Sequence, residues 1–479
     1  MTSTTAPTDI DGALRQRIAD QLAGRFHGAI IGPDHADYQQ ARLVWNGMID
    51  KHPGLILRCT STADVVAAVD VARANGLSPS VRGGGHNVAG KAMSDGGLTI
   101  DLAGLRSVEV DAERHLVHVG GGCLLGDVDA ATAEHAMIVP AGIMSETGVA
   151  GLSLGGGIGW FSRKHGLTCD QFVELEVVLA GGEVVVASET ENPELFWALR
   201  GGGGNFGVVT RFTFRAYDFG PMMRIGVSLY HVDEAAAALR EYAAIYPTLG
   251  RNVGWHAALK HDMGPLPFVP AELVGARMMM LISMWLEDAE DPAGIELIER
   301  LGSVGNPAVR ASTVLPFGAG VQHLIDADFA DGHRYYTKEA HVATLADEAI
   351  DRLVEFWSEM PMGGEVEIIG LGGAIDDVAE DASAFSHREY LMWLNFAMSW
   401  DDPDLDADYM ERTRSIVRDL KPWTGAGIYV NMLNVDEMDR VVEAYGAAKY
   451  ARLGQVKAQY DPDNFFRANY NITPGRAIA

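Results

Sequence analysis

A chain of mixed helices and strands is the fold class this sequence predicts, and three observations carry the prediction. Short apolar, strand-like runs alternate with helical periodicities through the first half, a pattern that reads as α/β or α+β. After Asp218-Phe219-Gly220-Pro221 the tone changes to long apolar strands rich in Met, Trp and Tyr, set between helices. That pattern predicts a sheet with helices behind it and one face open to a pocket. Finally, three glycine-rich stretches fall before residue 210, starting at Arg82, Thr147 and Gly201. Glycines let backbone amides approach an anionic group closely, because no Cβ stands in the way. Three such loops point to one long, phosphate-bearing cofactor touched at several places.

Taken in order, residues 55–59 read as a strand. Ser61-Thr62-Ala63-Asp64 then opens a helix whose apolar face is Val65, Val66, Val69, Val71 and Ala72. Residues 78–81 form the next expected strand and deliver the chain into the first glycine loop. Strands follow at 98–102, 107–111 and 116–119. A hairpin at 174–179 and 184–187 turns at Ala180-Gly181-Gly182-Glu183. A helix at 194–199 and a strand at 208–214 close the first part. Beyond it, helices are expected at 232–246, 288–301 and 345–359, with strands at 277–286, 365–371, 390–400 and 427–431. A helix opens the last segment and ends at the turn of Asp461-Pro462-Asp463-Asn464. The expected division is 1–219, 220–435 and 436–479.

The chain has 479 residues, 48% of them hydrophobic and 21% charged, which fits an ordinary globular protein with cores large enough to need no staples. Its formal net charge of −28 argues against nucleic acid or an anionic membrane surface as partner. Three cysteines without a Cys-x-x-Cys spacing offer neither a disulfide framework nor a thiolate metal site. The polar, Thr-rich start has no basic patch leading into an apolar run, and no stretch reaches the ~20 residues of a membrane span. A cytoplasmic protein is the expectation.

Several motifs compete for the chemistry. Gly202-x-Gly204-x-x-Gly207 matches the dinucleotide fingerprint as a string, but a helix precedes it and a strand follows, the reverse of what that fingerprint needs. Gly151-Leu152-Ser153-Leu154-Gly155 matches a nucleophile elbow, so a serine hydrolase using Ser153 is one alternative. A non-catalytic binding protein is another. His115-x-x-His118 falls on an expected strand, where positions three apart face opposite sides, and no metal site is expected there. The remaining candidate is Val81-Arg82-Gly83-Gly84-Gly85-His86-Asn87-Val88-Ala89-Gly90, which sets a nucleophilic imidazole beside a backbone cradle.

Arg82 to Asn87 resembles the flavin-attachment loop of FAD-linked oxidases of the vanillyl-alcohol oxidase and p-cresol methylhydroxylase type. The nearer likeness is to the berberine bridge enzyme-like branch, including bacterial 6-hydroxynicotine and sugar oxidases. The resemblance continues from Pro140 to Gly159, through Ser162 to Leu167, Glu194 to Val209 and Ala384 to Arg388, and ends at Tyr460 to Ile472. It implies an α+β fold: a two-part FAD-binding domain formed by 1–219 and 436–479, around a substrate domain with an antiparallel sheet covered by helices.

On this resemblance FAD is bonded through a ring nitrogen of His86. Arg82, Gly83, Gly84, Gly85, Asn87, Val88, Thr147, Gly148, Gly151, Gly157, Gly207, Val209 and Asn471 are cofactor-binding. Many relatives add a second link from a cysteine at the position of Met144, and a thioether cannot make that bond, so a single tether is expected. Cys123 and Cys169 are then small buried fillers. Thr147 stands where relatives often carry Val or Leu at a position governing oxygen access; its hydroxyl either hydrogen-bonds the flavin or tunes how oxygen meets the reduced ring. Asp170-Gln171-Phe172 replaces the commoner Asp-Asn-Leu. The implied reaction is hydride transfer from a small or medium organic molecule, with Tyr429 as the base and oxygen as acceptor. Tyr335, Tyr336, His387 and Tyr390 are weaker pocket candidates. Trp255, Trp285, Trp393 and Met278-Met279-Met280 suggest an apolar or aromatic substrate.

Overall fold

The computed structural model describes residues 9–475; the Thr-rich start (1–8) and the last four residues (476–479) lie outside the described residues. Three main sheets organise the chain. A four-stranded sheet runs in the order Ala29–Ile31, Leu55–Arg58, Leu98–Asp101, Ser80–Arg82, parallel except at its Ala29–Ile31 edge. The helix Thr62–Ala74 covers it, started as expected by Ser61 Oγ, which accepts from Asp64 N–H at 3.1 Å. The Asp64 carboxylate in turn accepts from the N–H groups of His27 and Thr60, tying the entry to the strand Ala29–Ile31 to the exit from Leu55–Arg58.

An antiparallel sheet follows, ordered Val108–Asp111, Leu116–Gly120, Val208–Arg215, Phe172–Val178, Val184–Ser188. A larger, seven-stranded antiparallel sheet is ordered Val309–Pro316, Met222–Tyr230, Met278–Trp285, Val253–Lys260, Gly364–Gly370, Met392–Trp400, Arg334–Val342. The helices Val232–Ile245, Pro292–Leu301, Asp347–Glu359 and Asp406–Leu420 lie on one of its faces, packed over Trp255, Met279, Leu281, Ile368 and Phe396. All eight residues of Met278–Trp285 are buried, because its other face is also covered. No helix among the described residues is long and apolar enough to cross a membrane.

Two expectations need correcting. Residues 427–431 are not a strand: the chain reaches Tyr429 in a loop and turns into a short 3-10 helix, Val430–Met432. The Tyr429 N–H donates to the Glu339 carboxylate at 2.9 Å and Gly425 N–H to His341 C=O at 2.8 Å, so ladder pairing has no role there. His115 is likewise not on a strand but in the turn before Leu116–Gly120, at φ 53. It pairs with Asp218 at 3.0 Å, while His118 bonds Thr213 Oγ1 at 3.0 Å.

Residues after 435 return to the first part of the chain. A kink at Gly446 (φ 72) divides the expected helix into Val441–Tyr445 and Ala447–Tyr460. The fully buried Lys457 ammonium donates to Asn205 C=O at 2.5 Å, Asp461 Oδ2 at 2.6 Å and Phe466 C=O at 2.8 Å. Asn205 extends the staple, accepting from Ile472 N–H and donating to Tyr470 C=O. Replacing Lys457 with Met leaves the Asp461 charge buried and unpaired, and such a loss costs about 3–5 kcal/mol. Thermal and urea unfolding of Lys457→Met should show a lowered midpoint of corresponding size.

Candidate active site

The three glycine loops converge on one cavity of about 330 Å³. Gly83, Gly84, Gly85, His86, Asn87 and Val88 form one wall; Thr147, Gly148 and Gly151 form the next; Gly202, Gly203, Gly204, Gly207 and Val209 form a third. The first two loops touch backbone to backbone. A Cβ on Gly84 would sit 2.5 Å from Gly148 Cα and N, and one on Gly148 would sit 2.3 Å from Gly84 N. The tail contributes Ala468, Asn469 and Tyr470, and Asn87 Nδ2 donates to Tyr470 Oη at 2.9 Å.

Three expected cofactor residues lie off this wall. Arg82 Nη1 donates to the buried Ala41 C=O at 2.6 Å, and its Nε is buried without a partner. Gly157, at φ +87, is packed against Thr168, and its N–H is engaged by Tyr429. Asn471 is not among the lining residues; Asn205 bonds Tyr470 and Ile472 on either side of it, and its Oδ1 is buried without a partner. Met144 does line the cavity, as does Thr147.

His86 stacks on Trp45 with ring centroids 4.5 Å apart and planes at 15°. Burial pushes its pKa down to about 4, so the imidazole is neutral at physiological pH, and Nε2 has no hydrogen-bond partner. A neutral ring beside glycine-loop walls that present backbone rather than side chains fits a flavin dinucleotide, which needs close backbone approach and carries its own charge.

Facing the glycine loops, Tyr429 Oη accepts from Gly157 N–H at 2.9 Å and Asn431 Nδ2 at 2.8 Å. Burial raises its pKa to about 12, although both hydrogen bonds favour the phenolate. Behind it, burial pushes Glu339 up to about 8 while its carboxyl accepts from Tyr429 N–H and Trp393 Nε1.

The large sheet supplies a polar patch that sequence reasoning missed: Thr337, Glu367 and Asn395 line the cavity beside Ile369 and Trp393. Asn395 Nδ2 donates to Glu367 Oε2 at 2.7 Å, while Asn395 Oδ1 and Thr337 Oγ1 are buried without partners. Burial raises the Glu367 pKa, and it lifts that of Glu365 to about 8. Lys260 lies beneath, 2.5 Å from Asp328 and 3.3 Å from Glu365. Burial opposes its charge, but Glu365 and Asp328 hold the ammonium above its usual range. The signal was available, since Glu365-x-Glu367 and Asn395 interrupt otherwise apolar strands, where a buried polar group costs free energy unless it is used.

Other candidates are elsewhere. Ser153 lies inside the short helix Val149–Leu154, fully buried, donating to Val149 C=O at 2.5 Å, so it is no exposed elbow nucleophile. Tyr335 packs behind Trp45, Tyr336 bonds Asp436, and His387 and Tyr390 pair with each other off the wall. Trp255, Trp285 and Met279 belong to the helix-covered core, leaving Trp393 as the predicted tryptophan that reaches the cavity. Cys123 and Cys169 are buried thiols with pKa values raised by desolvation.

Comparison with known proteins accounts for this architecture. The "FAD binding domain" family matches residues 53–188, and "Berberine and berberine like" matches residues 428–473. The (R)-6-hydroxynicotine oxidase of Paenarthrobacter nicotinovorans is 31% identical over 470 residues, covering 94% of this chain and 97% of that protein. The crystal structure of 6-hydroxy-D-nicotine oxidase from Arthrobacter nicotinovorans superposes with a TM-score of 0.83 at 28% identity, over 94% of this chain and 98% of that one. A xylooligosaccharide oxidase from Myceliophthora thermophila C1 shares the fold at 22% identity and TM-score 0.83, over 96% of this chain and 100% of that one. The chain therefore belongs to the FAD-linked oxidoreductases of the berberine bridge enzyme-like family. It is an FAD enzyme, and the cavity bounded by the three glycine loops and the tail is where its residues fit that cofactor.

The Gly84–Gly148 approach leaves no room for a methyl group. Gly84→Ala should yield folded protein with flavin absorbance near 450 nm largely lost per mole of chain. A normal flavin content in that variant would separate the two loops from cofactor binding.

Proposed function

We propose that this enzyme oxidises a small or medium organic molecule at an alcohol, amine or activated C–H group, with FAD held by one covalent bond to His86 and molecular oxygen as final acceptor, giving hydrogen peroxide. The observation that carries this reading is the pairing, across one cavity, of the His86 wall with the Tyr429, Glu367 and Asn395 wall. Segments 1–219 and 436–479 then serve the cofactor and 220–435 the substrate; the shared cluster of Phe196, Leu453, Tyr470 and Ile472 supports the first grouping.

Bound FAD supplies a two-electron acceptor for hydride. The protein's part is placement and proton handling. Tyr429 takes the proton from the reacting oxygen or nitrogen, and Gly157 N–H and Asn431 Nδ2 stabilise the phenolate it must become. Asn395 Oδ1 offers an acceptor and Thr337 Oγ1 both a donor and an acceptor, which favours a substrate carrying a hydroxyl or amine that can donate a hydrogen bond. Trp393 and Ile369 give that substrate an apolar bed. Met144 leaves the cofactor with one protein bond, and Thr147 lines the cavity close by. A hydroxylated nitrogen heterocycle, the kind of molecule for which the 31%-identical relative is named, meets these demands.

Acid precipitation tests the tether: flavin should stay with the pellet, and its mass should map to the peptide holding His86. Anaerobic mixing with a panel of alcohols, sugars, cyclic amines and hydroxylated heterocycles should bleach the flavin with one class. Bleaching by none of them would overturn the oxidase reading. With the substrate found, Tyr429→Phe should slow bleaching by roughly 10²–10⁴-fold, the usual worth of a general base, at unchanged flavin content. A base with a pKa of about 12 is mostly protonated at neutral pH, so the phenolate fraction grows with pH. The wild-type reduction rate should therefore climb by about tenfold per pH unit above neutrality, and the climb should vanish in Tyr429→Phe.

A further inference from the structure

His86 is held by stacking rather than by a polar partner. Its Nε2 is buried and unbonded, and the one polar group acting on the ring at bonding range is its own backbone. A histidine χ2 torsion is intrinsically broad, so a ring without an external hydrogen bond takes its plane from what it packs on. Here that surface is Trp45, nearly parallel at 15° and 4.5 Å.

Trp45 is itself clamped from every side. Its other face stacks on Tyr335 at 4.0 Å and 13°, and Nε1 donates to Phe329 C=O at 2.6 Å. Its N–H donates to Gly85 C=O at 3.2 Å, directly before His86, and its C=O accepts from Gly332 N–H at 2.9 Å. The next residue, Asn46, donates to both Val88 C=O (2.8 Å) and Tyr335 C=O (2.9 Å), and its Oδ1 accepts from Tyr335 N–H (3.0 Å). Gly47 N–H donates to His333 C=O at 2.7 Å, and a Cβ there would sit 2.1 Å from Gly332 C=O. The strap 45–47 thus joins the His86 loop to the edge strand Arg334–Val342 of the large sheet, with Trp45 sandwiched between His86 and that strand's Tyr335.

We propose that Trp45 is the positioning residue for covalent flavin attachment, holding the His86 ring at the orientation in which a ring nitrogen meets the flavin methyl carbon. The inference rests on the His86 tether proposed above. Attachment forms an N–C bond; the methyl carbon loses one hydrogen and the imidazole its N–H proton, and the two electrons released pass finally to molecular oxygen, which becomes hydrogen peroxide. The neutral state of His86 leaves a lone pair free for that bond. Orientation is what the protein must still supply, and misplacement by about 1 Å costs on the order of 100-fold in rate. Because Tyr335 belongs to the substrate-side sheet, attachment is also coupled to that sheet having folded against the cofactor side.

The test compares the full-length wild type with Trp45→Leu, Trp45→Phe and Tyr335→Leu, each expressed and purified with its flavin. Two quantities are read: total flavin per chain by absorbance, and the fraction left in the pellet after acid precipitation. Trp45→Leu should keep its total flavin but lose roughly tenfold or more of the acid-stable fraction. Trp45→Phe, which retains a ring to stack, should restore most of it, and Tyr335→Leu should fall between. An unchanged acid-stable fraction in Trp45→Leu overturns the role of Trp45 while leaving the tether intact. Loss of total flavin in both Trp45 variants, with the remainder fully acid-stable, makes Trp45 a binding or structural residue and overturns it too. No acid-stable flavin in the wild type removes the His86 tether itself, and this inference with it.

Discussion

Everything at the site depends on two backbones meeting without side chains between them. At Gly84 and Gly148 the first and second glycine loops approach so closely that either Cβ would overlap the opposing main chain. That contact sets the distance between the His86 wall and the Thr147 wall, and so the shape of the cavity both loops line. Glycine carries an entropic cost of roughly 0.5–1 kcal/mol in ordered structure, which is accepted here because no other residue permits the approach. The remainder of the fold brings the two loops to that meeting. The parallel sheet delivers one through Ser80–Arg82, and the isolated bridge between Leu124 and Gly148 anchors the other.

The opposite wall obeys a different constraint. The central strands of the seven-stranded sheet are buried on both faces and leave no water for their polar groups, so each buried carboxylate must find a partner or take up a proton. Lys260, Asp328 and Glu365 form one partnership, and Asn395 and Glu367 another. Asn395 Oδ1 and Thr337 Oγ1, left without partners, belong to residues that line the cavity. A ligand that brings a hydrogen-bond donor pairs the amide oxygen, and one lacking it leaves that oxygen unpaired, which is how a wall discriminates.

How much of this was legible in the sequence follows from the range of the interactions concerned. The Ser61-capped helix, the hairpin at Ala180-Gly181-Gly182-Glu183 and the strands of the large sheet at 277–286, 365–371 and 390–400 are set by local periodicity, and they form within a residue or two of expectation. The His86 loop was legible because glycine runs have few other uses. By contrast, residues 427–431 look like a strand and are not one, because a carboxylate ninety positions earlier takes the Tyr429 N–H. The strands Met222–Tyr230, Val253–Lys260 and Arg334–Val342 went unread, since burial on both faces erases the alternation that marks a strand. Trp45 carries no signal of its own: what matters is a stack with His86 and Tyr335 that only the fold creates.

The return of the chain at Lys457 has a consequence in time. The cavity needs Asn469 and Tyr470 for one of its walls, and Lys457 fastens that segment to Asn205. A ribosome adding about 5–20 residues per second finishes the His86 loop roughly 20–80 s before it reaches those residues. During that interval the glycine loops stand without their closing wall. The nascent chain must therefore extend past Tyr470 before its cavity has this wall.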